Sequence, residues 1–189
     1  MGLCLLACAH GAKATKPTFA PHDVAVFYPL AVGNQWTYQV QLLGEHQQRT
    51  FKIVAERDGF YEDDTGVRLR ADAYGIRDEK RYLLQGPLEA GRTWESQVGL
   101  NSLEHYRILK AYEPCQAPAG KFDLCIEVES LVRKDPETSV LNVMTFARDV
   151  GIVRIQTFME RRGVRTPQAE LALLRYEVAP LDAAQPLPK

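Results

Sequence analysis

Alternation of apolar and polar residues is the feature that most limits how this chain can fold. In the first clear segment the even-numbered residues from Trp36 to Leu42 are large and apolar, while the odd-numbered residues from Gln35 to Gln41 are polar. A period of two residues places the apolar side chains on one face of a β-strand. Outside two short windows, no helical period continues over about 10–12 residues. The chain is therefore predicted to be mainly β.

Segments with this strand pattern are separated by turns that contain Gly, Pro, Asn or Asp. They cover residues 35–42, 50–56, 67–71, 82–84, 106–112, 122–132, 140–147, 152–159 and 171–178. Residues 44–47 are predicted to form a polar hairpin loop between the first two strands. Only residues 21–28 and 168–174 have a composition that could form a helix.

Short connections between successive strands favour antiparallel meanders, because parallel pairs need crossover helices that this sequence lacks. We therefore predict a curved antiparallel sheet or a partly closed half barrel of about nine or ten strands, with little helix. The concave face of such a sheet is expected to carry the large aromatic residues.

Composition supports a globular domain and excludes one class of partner. The chain has 189 residues, 46% of them hydrophobic and 25% charged, which is enough to bury a core. Lys and Arg number 23 against 24 Asp and Glu, so the formal net charge is −1. This balance excludes the basic surface that nucleic-acid binding requires. An apolar run of about 18 residues is also absent, which argues against a membrane-spanning helix.

The N-terminal residues indicate where in the cell the protein is located. The segment MGLCLLACA is apolar and ends in small residues, like the second part of a secretory signal. Within it, Leu5-Leu6-Ala7-Cys8 resembles the bacterial lipobox, which implies that Cys8 is lipidated and becomes the mature N-terminus. A signal also needs a basic region and a longer apolar stretch, and neither precedes Leu3; a start codon upstream of Met1 or a shortened chain would each explain this. The alternative is a frayed cytosolic N-terminus that happens to contain two cysteines.

Four segments follow from these patterns. Residues 1–8 are a signal remnant with the lipobox, and residues 9–23 are a flexible tether of Ala, Lys, Thr, Pro and Gly. Residues 24–179 form a single β domain. Residues 180–189 are a disordered Pro/Ala tail.

Cys115 and Cys125 flank a segment with Pro118 and Gly120 at its centre. If two strands fold back around residues 119–121, the cysteines face each other in an antiparallel pair, at the separation that a disulfide needs. Two unpaired buried thiols are the alternative, and a zinc site lacks further ligands at suitable spacing. A disulfide implies an oxidising compartment, in agreement with the lipobox.

A longer motif points to a family. The segment Tyr28–Tyr38, YPLAVGNQWTY, resembles the opening of a group of uncharacterised bacterial secreted proteins and lipoproteins, with the pattern Y-P-L-x-x-G-N-x-W-x-Y. Further echoes follow in the expected order at Gly86–Leu88, Ala117–Phe122 and Val150–Val153. The resemblance implies a β-rich periplasmic domain with a curved sheet, similar to periplasmic lipoprotein carriers. It implies no catalytic residues.

Catalytic and metal-binding motifs such as H-x-x-x-H and G-x-S-x-G do not occur in the sequence. We therefore expect a non-enzymatic domain without cofactor or metal, lipid-anchored in the bacterial envelope, on the periplasmic side of the outer membrane or at the cell surface. It is expected to bind an apolar ligand or a protein partner, with Trp36, Tyr38, Trp94 and Tyr106 lining the concave face. One alternative is a structural or assembly subunit of an envelope or surface complex, with contacts at sheet edges or at the basic loop of Arg161, Arg162 and Arg165 around Gly163, called the Arg161 loop. A hydrolase with scattered site residues is a third hypothesis.

Overall fold

Twelve antiparallel strands form a nearly closed barrel in the computed structural model, which describes residues 21–42, 44–100 and 102–180. A 3₁₀ helix, Pro21–Phe27, precedes the strands. The strands are β1 (Gln35–Leu42), β2 (Glu45–Arg57), β3 (Phe60–Asp63), β4 (Arg68–Ala71), β5 (Gly75–Arg77), β6 (Tyr82–Gln85), β7 (Thr93–Gly99), β8 (Ser102–Ala117), β9 (Gly120–Arg133), β10 (Thr138–Ala147), β11 (Gly151–Arg161) and β12 (Val164–Glu177). The predicted fold class, a partly closed antiparallel barrel with little helix, is confirmed.

The number of strands differs from the prediction because β3, β5 and β7 carry weak signals. β3 and β5 have four and three residues, which is too short to display a period. In β7 the two buried positions are Trp94 and Ser96, so one of them is polar and the alternation is hidden. The barrel therefore has twelve strands rather than nine or ten.

Two local predictions are corrected and a third is confirmed. Residues 45–47 lie in β2 and not in a loop, because Glu45 already pairs with Leu42. Residues 168–174 belong to β12, where pairing with β1 overrides their helical composition. Helix occurs within residues 21–28, as predicted, in the form of the 3₁₀ helix.

One seam of the barrel, between β6 and β7, has no ladder of backbone hydrogen bonds. Side chains bridge it instead. The indole Nε1 of Trp94 donates to the carbonyl oxygen of Tyr82 at 2.9 Å. Arg81, which immediately precedes β6, places Nη1 2.7 Å from Oε2 of Glu104 on β8, and the Glu104 side chain is only 2% exposed. Side-chain contacts therefore hold together the place where the sheet is interrupted.

Both ends of the described chain lie at the same end of the barrel, which we call the terminal end. An even number of antiparallel strands produces this arrangement, since the chain returns after each pair. Asn34 ties the two ends together there: its Nδ2 donates to the carbonyl oxygen of Pro29 at 2.8 Å, and its Oδ1 accepts from the amide of Ala179 at 2.9 Å. The opposite end, called the distal end, carries the connections that follow β1, β7, β9 and β11.

Two clusters of buried apolar side chains fill the interior from the terminal end to about the level of Tyr106. The first joins the 3₁₀ helix to β5–β8 and β9–β11, and includes Val24, Phe27, Ile76, Leu84, Trp94, Tyr106, Ile108, Ile126, Val128, Met144 and Phe146. The second centres on β1, β11 and β12, and includes Trp36, Tyr38, Val153 and Leu173. Tyr28 packs against both clusters. Its ring lies so close to Gly151 that a Cβ there would approach it to 2.6 Å.

The β8–β9 hairpin is bent by three register shifts, and Tyr112 adopts a left-handed φ of 60° within the bent part of β8. The hairpin tip docks on β12, where the amide of Ala119 donates to the carbonyl oxygen of Leu173 at 2.8 Å. The hairpin thereby covers the part of the second cluster that contains Ala117.

A disulfide joins Cys115 to Cys125 in this hairpin, with a Cα–Cα distance of 6.0 Å. The predicted direct opposition of the two cysteines is wrong, because Cys115 pairs with Phe122 and Cys125 pairs with Glu113. The hairpin turns at residues 118–119 rather than at the predicted 119–121, so the ladder places Cys115 opposite Phe122 and the disulfide links residues that are not directly opposed.

Among the described residues, no helix is both long enough and apolar enough to span a membrane.

Candidate functional site

The four aromatic residues predicted to line a ligand site are buried in the core. Trp36 and Tyr106 are each 2% exposed, and Tyr38 and Trp94 are 5% and 8% exposed. The structure separates them into pairs: Trp36 and Tyr38 lie in the second cluster, and Trp94 stacks on Tyr106 in the first, with ring centroids 5.0 Å apart. Little of their surface is accessible to a ligand.

The polar atoms of the first pair connect strands. The indole Nε1 of Trp36 donates to the carbonyl oxygen of Val150 at 2.6 Å, and the hydroxyl of Tyr38 donates to that of Ile152 at 2.8 Å. Burial, and secondarily the neighbouring Tyr28, raises the pKa of the Tyr38 hydroxyl, which keeps it protonated as a donor. These bonds join β1 to β11 at the point where β12 and β11 diverge.

Strand pairing shows which side chains share the core-facing, or inner, face of the sheet. Ile108, Val128 and Met144 are partners across β8–β10 and belong to the first cluster. Side chains two residues apart share a face. The row Tyr106, Ser130, Asn142 and Thr157, two residues further toward the distal end, is therefore also on the inner face.

Hydrogen bonds organise this second row. The hydroxyl of Thr157 donates to Oδ1 of Asn142 at 2.8 Å, and Nδ2 of Asn142 lies 3.5 Å from Oγ of Ser130. The Tyr106 hydroxyl forms no well-aligned hydrogen bond within the described part of the chain. Burial, and then the Glu104 carboxylate beside it, raises the pKa of this hydroxyl. On β8–β11, a narrow row of polar side chains thus lies between the apolar core and the distal part of the inner face.

Val132, Val140 and Met159 lie beyond this row, where the inner face becomes apolar again and opens to solvent. Val40, Ile155 and Leu171 lie level with Met144, on the core side of the row, and Leu42 continues their face to the rim of β1. We call this region the distal inner face; it comprises Val40, Leu42, Val132, Val140, Ile155, Met159 and Leu171. Along the distal rim of the inner face, the exposed fraction of the residues rises from 2% at Glu104 on β8 to 42% at Met159 on β11 and 49% at Leu42 on β1. These aliphatic side chains form an apolar surface that is partly accessible to solvent.

Two cavities lie on the opposite, outer face of the sheet, on either side of Arg154. One, of about 170 Å³, is bounded by the β8–β9 hairpin; the other, of about 210 Å³, lies beside Pro118. Their walls are mainly polar, and Arg154 pairs with Glu170 at 3.3 Å while Lys110 pairs with Glu127 at 3.4 Å. Neither cavity contains any of the four predicted aromatic residues.

The predicted Arg161 loop is largely neutralised. Arg162 lies 2.9 Å from a carboxylate oxygen of Glu137, and Arg165 lies 2.9 Å from both Glu129 and Glu160. Among the described residues, no group of three or more His, Cys, Asp or Glu is placed to hold a metal ion. The predicted lipidation residue Cys8, the signal remnant and residues 181–189 lie outside the described residues.

Sequence reasoning missed the distal inner face, although a signal for it was present. Val40 and Leu42 continue the alternation of Trp36 and Tyr38 to the end of β1. The prediction chose the largest aromatic side chains. These are the side chains that the core buries, whereas the smaller aliphatic residues at the strand ends stay accessible.

The chain was compared with protein family models, curated proteins and solved structures. No protein family model matches the chain, and no curated protein matches it. Among solved structures, the chain is similar to one described as a "putative lipoprotein from Parabacteroides distasonis", with 13% identity and a TM-score of 0.43. The match covers 80% of this chain and 98% of that one. We draw no conclusion about function or location from a likeness of this extent.

Proposed function

We propose that this chain is a lipid-anchored, extracytoplasmic, non-enzymatic β domain that binds an apolar ligand on the distal inner face. One observation carries the proposal: the same apolar face of the sheet is sealed as a core toward the terminal end and stays half-open at the distal end. Phe146 is 0% exposed on this face, whereas Met159 and Leu42 are 42% and 49% exposed. Exposed aliphatic surface on a concave sheet is suited to an apolar molecule.

The proposed location is the bacterial envelope, at the periplasmic side of the outer membrane or at the cell surface. Two independent features support it. The lipobox resemblance at Cys8 implies a lipid anchor, and the disulfide between Cys115 and Cys125 is of a kind that persists in oxidising compartments.

The fold also suits such an anchor. The segment before β1, at Pro29, and the segment after β12, at Ala179, are both hydrogen-bonded to Asn34 at the terminal end. A tether that starts at Cys8 would therefore enter the barrel at the terminal end, and the distal inner face would point away from the membrane. The ligand would then be accessible to a periplasmic or external partner.

Binding can be tested with the methyl ester of cis-parinaric acid, a neutral fluorescent fatty ester. We expect saturable binding of one ester per chain. Met159→Asp places a charge on the distal inner face and is expected to lower the affinity at least about tenfold, since a buried charge opposes apolar contact. Leu103→Asp is the matched control, because Leu103 is 43% exposed but lies on the outer face. The proposal would be overturned if binding of the ester did not saturate, or if both variants lost affinity to the same extent.

The anchor has its own test. Cells expressing the chain behind an intact signal are labelled with radioactive palmitate, with Cys8→Ser as the control. Label is expected in the parent chain and not in the variant. An unlabelled mature parent chain would remove the lipid anchor from the proposal, while leaving the ligand-binding part untouched.

A second candidate, an assembly subunit that docks a protein, is favoured by one observation. Leu100 is 97% exposed at the distal tip that follows β7, next to the open seam. Native mass spectrometry of the protein extracted from its own envelope tests this candidate. A stoichiometric protein partner that Leu100→Asp releases would favour assembly, whereas a co-purifying small molecule would favour ligand binding.

A further inference from the structure

We propose that the ligand of the distal inner face is an anionic amphiphile, with its hydrocarbon chain on the aliphatic residues and its negative head group at Arg49. This inference rests on the proposed function and specifies its ligand class. The head group is defined by its charge, which a fatty-acid carboxylate and a lipid phosphate share.

Arg49 lies on the inner face, directly beside the aliphatic residues. It is the partner of Tyr38 in the β1–β2 ladder, and Val40, the next inner-face residue of β1, is part of the distal inner face. Its guanidinium carbon is 5.0 Å from the ring centroid of Phe51, so the aromatic ring supports the side chain from one side. The positive charge is thus held next to an apolar surface.

No carboxylate of the described residues lies within ion-pair distance of Arg49. By contrast, Arg165, at the distal end but on the outer face, has Glu129 and Glu160 each at 2.9 Å. Two other charged residues reach the same inner face at its rim: Glu45 on β2, and Arg161, which is paired with Thr138. Glu104, also on the inner face, is paired with Arg81 at 2.7 Å. Outside that pair the described inner face has two cations for one carboxylate, and Arg49 is the cation that lies beside Val40.

The dimensions fit a chain with a charged head. From the level of Tyr38 to Leu42, four residues of extended strand provide roughly 13 Å of inner face, at about 3.3 Å per residue. Arg49 lies at the inner end of this distance and Leu42 at the rim. An amphiphile placed along β1 would cover Val40 and Leu171 with its chain while its head group meets Arg49. A guanidinium binds carboxylate and phosphate by paired hydrogen bonds, so either head group is suitable.

The test compares cis-parinaric acid with its methyl ester, because esterification removes the negative charge and adds only one methyl group. We expect the acid to bind the full chain about twofold to fivefold more tightly than the ester, the value of an exposed ion pair. Arg49→Gln is expected to lower the affinity for the acid to that of the ester, and Arg49→Lys to retain part of the preference. Arg57→Gln, on the same strand and 70% exposed, is the control and should change neither affinity.

The outcomes separate this inference from the function on which it rests. Equal binding of acid and ester, with no effect of Arg49→Gln, would overturn the anionic head group and leave apolar binding intact. If neither probe binds, the proposed function fails and this inference fails with it. Competition by dodecanoate and by dodecyl phosphate then identifies the source: the stronger competitor shows whether carboxylate or phosphate is the natural head group.

Discussion

The two halves of the barrel use the same strand pattern for different purposes. Toward the terminal end, the inner face is covered by the 3₁₀ helix and by β5 and β6, whose Ile76 and Leu84 are 0% exposed. Toward the distal end, the inner face carries aliphatic residues of the same kind, but Met159 and Leu42 remain more than two-fifths exposed. The difference lies in what packs against the face rather than in the residues of the face itself.

This contrast teaches that alternation reports an apolar face and does not report its partner. An apolar face that another element covers contributes to stability through burial, at about 25 cal/mol per Å². An apolar face that stays open contributes little to stability and is available for binding. Substitutions should therefore separate the halves: stability changes are expected mainly in the terminal half, and binding changes mainly at the distal end.

The largest expected effect is Phe146→Ala in the core. Removing a fully buried aromatic side chain should lower the free energy of unfolding by about 4 kcal/mol. Met159→Ala on the distal inner face should lower it by less than about 1 kcal/mol, because that side chain is already 42% exposed. Urea unfolding followed by circular dichroism measures both. Similar losses would show that the distal inner face is part of the core.

Next in size is Arg81→Met at the seam. The Glu104 carboxylate, 2% exposed, would lose the cation 2.7 Å away, and the unfolding free energy should fall by about 3 kcal/mol. Arg162→Met removes an ion pair of similar length, 2.9 Å, from the exposed distal turn and should cost less than about 1 kcal/mol. An equal cost for both variants would contradict the role of the buried ion pair in holding the seam.

Removal of the disulfide should have an intermediate effect on stability and none on binding. The double variant Cys115→Ser/Cys125→Ser opens a link across a sequence separation of 10 and should lower the unfolding free energy by about 2–3 kcal/mol. Hydrogen exchange should increase at Ala119, whose amide docks the hairpin on β12. Affinity for the parinaric ester should be unchanged, and a large loss would link the hairpin to the distal inner face.

Alkaline pH should act on the buried tyrosines of the core, with the smallest effect per group. Burial raises the pKa of Tyr28, Tyr38 and Tyr106 above the ordinary value of about 10. As the pH rises past 10, the unfolded chain therefore loses these protons first. The free energy of unfolding should then fall by about 1 kcal/mol per tyrosine per pH unit, while below pH 10 this contribution is fully retained. Denaturant titrations between about pH 8 and pH 11, on both sides of the ordinary tyrosine pKa, measure how steeply the free energy of unfolding falls with pH. Tyr28→Phe should make this fall less steep.

Much of the fold could be predicted from the alternation, because long strands such as β1 and β10 show their period over several residues. The number of strands could not, since β5 has three residues and β7 buries a serine. Nor could the register of the β8–β9 hairpin, where the turn at residues 118–119 places Cys115 opposite Phe122 and three register shifts follow along β8. Bulges depend on long-range packing, and no local residue pattern specifies them.

The candidate site was harder to predict than the fold. Trp36 and Trp94 were the natural choices for a ligand site because large aromatic residues dominate interfaces, but they dominate cores for the same physical reason. Leu42 and Met159 do not differ in type from core residues. Their accessibility follows from the positions of β5, β6 and the 3₁₀ helix, which only the assembled barrel shows.

The division of the inner face into a sealed core and an open binding face can be tested by paramagnetic relaxation with a nitroxide-labelled stearic acid. Methyl resonances of the full chain are recorded before and after the probe is added. The methyl signals of Leu42, Val140 and Met159 should broaden, while those of Leu84 and Ile126, both 0% exposed, should remain sharp. Broadening of Leu84 and Ile126, or of no inner-face methyl group at all, would contradict this division.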